Sequence, residues 1–229
     1  MKFLYETHMH TSESSRCAHN SAAEQVRAYK KMGYSGIIVT DHFINGNSVI
    51  HSKKIKSWES KMQTFAKGYF NAKKEGDKCG LDVFFGWEFS HYDADLLTYG
   101  LDYDFLLQNP DICELKPKAY SALIRNSGGY IAQAHPYRYI WDDDTEPYDY
   151  RLLDGVEVYN ASMSDAVNGK ARDFARLHNL AMQSGSDSHT VAPIHYQTHY
   201  GGIRLDKKAK SIFDIIDGIK TGTAELVLP

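Results

Sequence analysis

The stretch Lys2-Phe3-Leu4-Tyr5-Glu6-Thr7-His8-Met9-His10-Thr11 reads as a strand over Lys2 to Thr7 that runs straight into a His-x-His pair. In extended backbone, side chains two positions apart share a face, so His8 and His10 turn both imidazoles toward one point, where one metal ion would fit. A nucleotide-binding sheet would carry a glycine-rich phosphate turn after its first strand, and Thr7-His8-Met9-His10 stands there instead.

Outward from this segment, the pattern repeats. Gly36-Ile37-Ile38-Val39-Thr40 is a short β-branched run, typical of a strand buried on both faces, and Asp41-His42 follows it. Strands are expected over Val83 to Glu88, Leu96 to Gly100, Tyr130 to Ala134, Gly155 to Tyr159 and Leu180 to Gly185. The first of these ends on Glu88, the Tyr130 strand on His135, and the Leu180 strand on Asp187-Ser188-His189.

Between the strands lie helical patterns. Ser21 and Glu24 form a capping box that opens a helix to about Met32, which Gly33 ends. Lys56 to Lys74 places Trp58, Met62, Phe65 and Tyr69 at helical spacing, as core contacts. Further helices are expected over Pro117 to Asn126, Ala166 to His178 and Ile212 to Lys220, the last preceded by a second capping pair, Ser211 and Asp214. Alternating β and α units imply a mainly parallel sheet with helices outside it, and nothing divides the chain, so residues 1–229 read as a single domain. A closed α/β barrel competes with an open doubly wound sheet. In a barrel, the C-terminal strand ends meet at one mouth, which would bring these scattered ligand-type residues together.

Composition bounds the rest. The 229 residues carry 26 basic and 29 acidic side chains, a net charge of −3, which argues against a broad cationic surface for long nucleic acid. Three scattered cysteines suggest no disulfide framework. The first residues turn charged too early for a signal peptide, and no apolar run approaches membrane-spanning length, so a soluble cytoplasmic protein is expected. The 11 histidines are the unusual entry in the count.

The series Glu6-Thr7-His8-Met9-His10-Thr11, Thr40-Asp41-His42, Gly86-Trp87-Glu88, Ala134-His135-Pro136 and Gly185-Ser186-Asp187-Ser188-His189 resembles the PHP (polymerase and histidinol phosphatase) superfamily, in order and over nearly the whole chain. The resemblance implies a distorted (β/α)7 TIM-like barrel with two or three divalent metal ions (zinc, manganese or iron) that hydrolyses phosphoesters through a metal-activated water. Carried across by position, His8, His10, Glu88 and Asp187 would hold one ion. Glu88 would bridge to a second bound by His135, and His42 with His189 would serve a third.

Two positions depart from the family pattern. Ser15 and Arg16 stand where an Asp or His is usual, so Glu13 is the candidate replacement ligand, with Cys17 and His19 as weaker substitutes. Asp95 stands in place of a usual histidine. A two-residue turn at His91-Tyr92 would pair Glu88 with Asp95 and put both on one face, which favours Asp95 over Asp102 or His91 and makes the second site harder, toward manganese or iron. Asp41 is expected to orient a ligand imidazole, and Arg138 and Arg16 are candidate phosphate clamps. His195 and His199 are expected on a loop after the last motif, as solvent-facing histidines rather than residues that line the mouth and meet substrate.

The leading function is therefore hydrolysis of a small phosphate mono- or diester, with a small phosphorylated substrate as the partner and no membrane or long nucleic acid. No nucleophile elbow supplies a serine or cysteine attack. A C–N metallohydrolase of amidohydrolase type is the rival enzyme; it often uses a bridging lysine, which no strand end offers. A non-catalytic, regulatory metal-binding module is the rival outside catalysis.

Overall fold

The computed structural model describes residues 2–91, 94–138, 147–191 and 200–228. Among them, nine strands form one sheet: β1 (Phe3–Met9), β2 (Gly36–Val39), β3 (Asp82–His91), β4 (Ala94–Tyr99), β5 (Tyr130–Gln133), β6 (Gly155–Asn160), β7 (Ala181–Gly185), β8 (Ile203–Leu205) and β9 (Glu225–Leu226). Their spatial order is β7-β6-β5-β4-β3-β2-β1-β8-β9. Only β4 and β8 run against the rest.

The sheet curls until its two sides nearly meet. Met9 forms a parallel bridge with Ser188, the His10 amide donates to the Ser188 carbonyl at 2.9 Å, and the Thr7 hydroxyl donates to the Ser184 carbonyl at 2.7 Å. The result is a nearly closed barrel, as expected, but with more strands than the seven units of the family pattern. The additional strands, β8 and β9, are three and two residues long, too short to show a period in sequence.

Helices α1 (Ala22–Lys31), α2 (Trp58–Phe65), α3 (Lys67–Cys79), α4 (Tyr103–Gln108), α5 (Pro117–Asn126), α6 (Asp165–Leu177) and α7 (Ile212–Thr221) connect the strands. The capping box at Ser21 and Glu24 forms as expected. The expected long helix over 56–74 is instead two, broken at Ala66. Ser14 causes the break: its hydroxyl donates to the Phe65 carbonyl at 2.5 Å and accepts from the Gly68 amide at 3.2 Å, taking partners that a continuous helix would use. No helix among the described residues is long and apolar enough to cross a membrane.

Alternation along β3 and β4 decides what faces the barrel interior. Phe85, Trp87 and Phe89 turn outward into an aromatic layer with Phe43, Phe65 and Tyr120, so Glu88 turns inward. On β4, Leu97 and Tyr99 turn inward with Ile38, Tyr130 and Ala132, which puts Asp95 on the same inner face.

Candidate metal centre

At the barrel mouth the strand ends converge on Glu88, which is fully buried. Its Oε1 lies 3.5 Å from His8 Nε2 and 3.1 Å from His135 Nε2, and its Oε2 lies 3.5 Å from His10 Nε2 and 2.5 Å from His42 Nδ1. Asp187 is the second hub: its Oδ1 lies 3.1 Å from His10 Nε2, 3.4 Å from His8 Nε2 and 3.5 Å from His189 Nδ1. The ligand atoms fall into sets whose members lie within 4.8 Å of one another: His8, His10 and Glu88; His8, His135 and Asp187; Glu88, Asp95 and His135; and His10, His42 and His189.

Neighbouring groups set which ring nitrogen is free. His8 Nδ1 bonds Glu157 Oε1 at 2.9 Å, which leaves Nε2 for the cluster. His10 Nδ1 bonds the Ser15 hydroxyl at 3.1 Å, and Ser15 donates onward to Asp41 at 2.7 Å. His189 Nδ1 bonds the Asp187 carbonyl at 2.8 Å. Two residues of the cluster also hold left-handed backbone: Asp187 has φ +52° and His135 has φ +27°. Such conformations persist where the surroundings enforce them, and here the Glu157 carboxylate takes the His135 amide at 3.0 Å.

Two orphaned atoms test whether a cation fits. His42 Nδ1 and Glu88 Oε2 are buried 2.5 Å apart, and beyond each other neither has a hydrogen-bond partner. At that distance the two atoms must share a positive charge, either a proton or a bound cation. Charge on the cluster follows the same logic. Burial pushes the Glu88 carboxyl up, but His42, His8 and His135 outweigh it and hold it well below the usual range. Asp187 is held down in the same way, by His8, His10, His189 and His135 against burial. Burial opposes charge on His42, yet Glu88 and Cys17 push it up to about 11. His10 is the exception: burial, with His189 and His42, holds it well below its ordinary value. Protons on most of the histidines therefore balance the buried carboxylates, and a divalent ion bound by the same atoms would displace them. The mixed imidazole and carboxylate donor set suits such ions.

The structure thus brings His8, His10, His42, Glu88, His135, Asp187 and His189 together. Asp95 joins them at the edge, its Oδ2 3.9 Å from His135 Nε2 and its carboxyl pushed up by burial and by Glu88. The expected pairing needs correcting. Glu88 sits opposite Leu97, and Asp95 opposite Ser90, whose hydroxyl it accepts at 2.6 Å. The strand register has slipped by two positions because β3 continues to His91, and a slip of two leaves both carboxylates on the inner face.

Glu13 is a second correction. Its carboxylate accepts the Ala22 amide at 2.9 Å and the Asn71 amide group at 3.1 Å, so it joins the start of α1 to α3 and belongs to none of the ligand sets. Glu13→Ala is expected to keep full metal content and to lose about 0.3–1 kcal/mol of stability, the usual worth of a carboxylate at a helix N-terminus. Metal analysis with thermal melting checks this; a lost ion would return Glu13 to the ligand set.

Asp41 stands behind His10 at one remove. It accepts from the Thr11 amide at 2.7 Å, the Thr11 hydroxyl at 2.6 Å and Ser15, and reaches His10 only through Ser15. Burial pushes its carboxyl up to about 6. Arg138 brings Nη1 to 3.4 Å from His135 Nε2. Arg16 is exposed on the loop after β1, with its amide bonded to the Asn47 carbonyl at 2.9 Å. His51 bonds the Gly46 carbonyl, His91 the Leu115 carbonyl, and His178 stacks on Tyr150. His195 and His199 lie outside the described residues.

Sequence reasoning missed Glu157. Its Oε1 orients His8, while its Oε2 takes the His135 amide and the Asn160 side chain at 2.8 Å. The signal was a carboxylate inside the apolar strand Gly155-Val156-Glu157-Val158-Tyr159, where a buried charge needs partners. Gly185 makes the contact possible, since a Cβ there would meet Glu157 Oε1 at 2.5 Å and His8 Cβ at 2.6 Å. Glu157→Gln is expected to weaken metal affinity or activity about 10–100-fold, as loss of a carboxylate behind a ligand histidine does. Unchanged metal affinity by competition titration would sink that role.

No protein-family model and no curated protein matches the chain. Solved structures do. A two-domain protein of Bacteroides vulgatus containing a predicted PHP-like metal-dependent phosphoesterase superposes with TM-score 0.70 at 16% identity, over 100% of this chain and 65% of that one. The lesion-specific endonuclease EndoQ of Pyrococcus furiosus superposes with TM-score 0.65 at 14% identity, over 100% of this chain and 58% of that one. The chain thus spans about two thirds or less of these two proteins. An amidohydrolase of Chromobacterium violaceum gives TM-score 0.60 at 14% identity, over 93% and 96% of the two chains. At these identities the likeness is one of fold, the fold that this chain shares with all three proteins.

Proposed function

We propose that the chain is a metal-dependent hydrolase that cleaves the phosphoester bond of a small phosphorylated substrate. The observation that carries this reading is the buried Glu88 carboxylate, whose two oxygens face four histidines from three strand ends. His8, His10, Glu88 and Asp187 would hold one divalent ion, and Glu88, Asp95 and His135 a second, with Glu88 shared. Bound there, such ions supply Lewis-acid stabilisation of phosphoryl charge and activation of water.

The chain's own groups do the remaining work. Glu157 and the Ser15–Asp41 pair lock the His8 and His10 rings so that Nε2 faces the site. Arg138, at the His135 edge, presents a planar guanidinium suited to two phosphate oxygens. Arg16 lies on the loop after β1 as a second cation for the same anion.

The test is hydrolysis of an aryl phosphate monoester and a bis-aryl phosphodiester by the purified chain, before and after chelation, with metal content measured in parallel. Turnover that chelation abolishes, and zinc, manganese or iron(II) restores, is expected. Stoichiometric metal with no phosphoester turned over would overturn the reading in favour of a metal-binding module. Cleavage of amides alone would favour the amidohydrolase chemistry.

A further inference from the structure

The set formed by His10, His42 and His189 is short of donors. His10 Nδ1 is taken by Ser15, and its Nε2 lies 3.2 Å from His8 Nε2 and 3.1 Å from Asp187, inside the first metal group. Only His42 and His189 are left, whereas zinc-class cations in proteins take at least three protein ligands. The His42 side chain is only 9% exposed and its Nδ1 faces Glu88 Oε2 at 2.5 Å, so only its other ring nitrogen is left for this corner. A ligand is missing from this corner of the mouth.

We propose that Cys17 completes it, as a thiolate ligand to a zinc-class cation held with His42 and His189. The proposal rests on the metal centre argued above. The loop after β1 holds Cys17 between two tethers. On one side the Arg16 amide donates to the Asn47 carbonyl at 2.9 Å, and Ser15 bridges Ser48, tying the loop to the segment that follows His42. On the other side the His19 amide donates to the His189 carbonyl at 2.8 Å, and the Asn20 side chain takes the Thr190 hydroxyl at 3.0 Å and the Val191 amide at 2.9 Å. Cys17, half-buried, is thereby set beside both imidazoles and interacts with each. Cys113 packs instead against the aromatic layer, and Cys79 ends α3, so neither can reach the mouth.

On coordination a sulfur–metal bond forms and the thiol proton leaves to solvent. A thiolate with two imidazoles makes this position softer than the carboxylate-rich groups beside it. It should therefore select zinc, cobalt or iron(II) over manganese and magnesium.

Cobalt(II) is the probe. The full chain, stripped with chelator and titrated with cobalt(II), is expected to develop a near-ultraviolet sulfur-to-cobalt charge-transfer band. The band should be absent in Cys17→Ser, together with one bound ion, and retained in Cys79→Ser and Cys113→Ser. Zinc should also protect Cys17 of the wild-type chain from alkylation, as read by peptide mass spectrometry. If the wild-type chain binds cobalt without the band, or zinc binds without protecting Cys17, the proposal is overturned while the metal centre stands. If it binds no cobalt at all, the metal centre itself fails and this proposal with it.

Discussion

Glu88→Gln is expected to lower metal content below one ion per chain and phosphoester hydrolysis by about 1,000-fold or more. Glu88 belongs to two of the ligand sets and faces His8, His10, His42 and His135. An amide of the same shape keeps the packing of β3 but removes the charge, and its NH2 would meet imidazole nitrogens. Metal stabilisation of a phosphoryl transition state is worth several kcal/mol, and each 1.4 kcal/mol is about a factor of ten, which sets the expected scale. A second readout separates lost charge from lost fold. Glu88 helps push His42 up to about 11 and raises His135, so both imidazoles should titrate lower in the chelated variant, as followed by NMR. Normal metal content with normal turnover would remove Glu88 from the centre.

Asp187→Asn is expected to cost about 100- to 1,000-fold in activity with the barrel intact, again on the scale of a lost ligand to a catalytic ion. Asp187 approaches His8, His10, His135 and His189 and sits at φ +52°. Asn tolerates left-handed backbone nearly as Asp does, whereas Ala there adds roughly 1–2 kcal/mol of strain. Asp187→Ala should therefore match Asn in lost metal and turnover but melt at a lower temperature. Equal melting temperatures would show that the backbone at 187 is not strained, and retained turnover in both would sink the ligand role.

The strand-end cluster was legible because each of its residues follows an apolar run that reads as a strand, and alternation then fixes which side chains share a face. His8 with His10 is the clearest case. Asp95 shows the limit of that reasoning: its inward face survived, but its partner did not, since register depends on where β3 stops. Ser14 shows another limit. A single hydroxyl bonding Phe65 and Gly68 split a helix whose spacing looked continuous.

The sequence by itself determined the β/α alternation and the residue types at the strand ends, because periodicity and residue chemistry are local properties; closure of the sheet into a barrel was decided by the tertiary structure. Only the tertiary structure decided that Glu13 serves α1 and α3, that Asp41 reaches His10 through Ser15, and that Glu157 stands behind His8. The tethers that fix the Cys17 loop to the segments after His42 and at His189 arose in the same way. Those roles depend on contacts between residues far apart in the chain, such as Glu157 with His8 and His19 with His189, and such contacts exist only once the sheet has curled and brought its ends together.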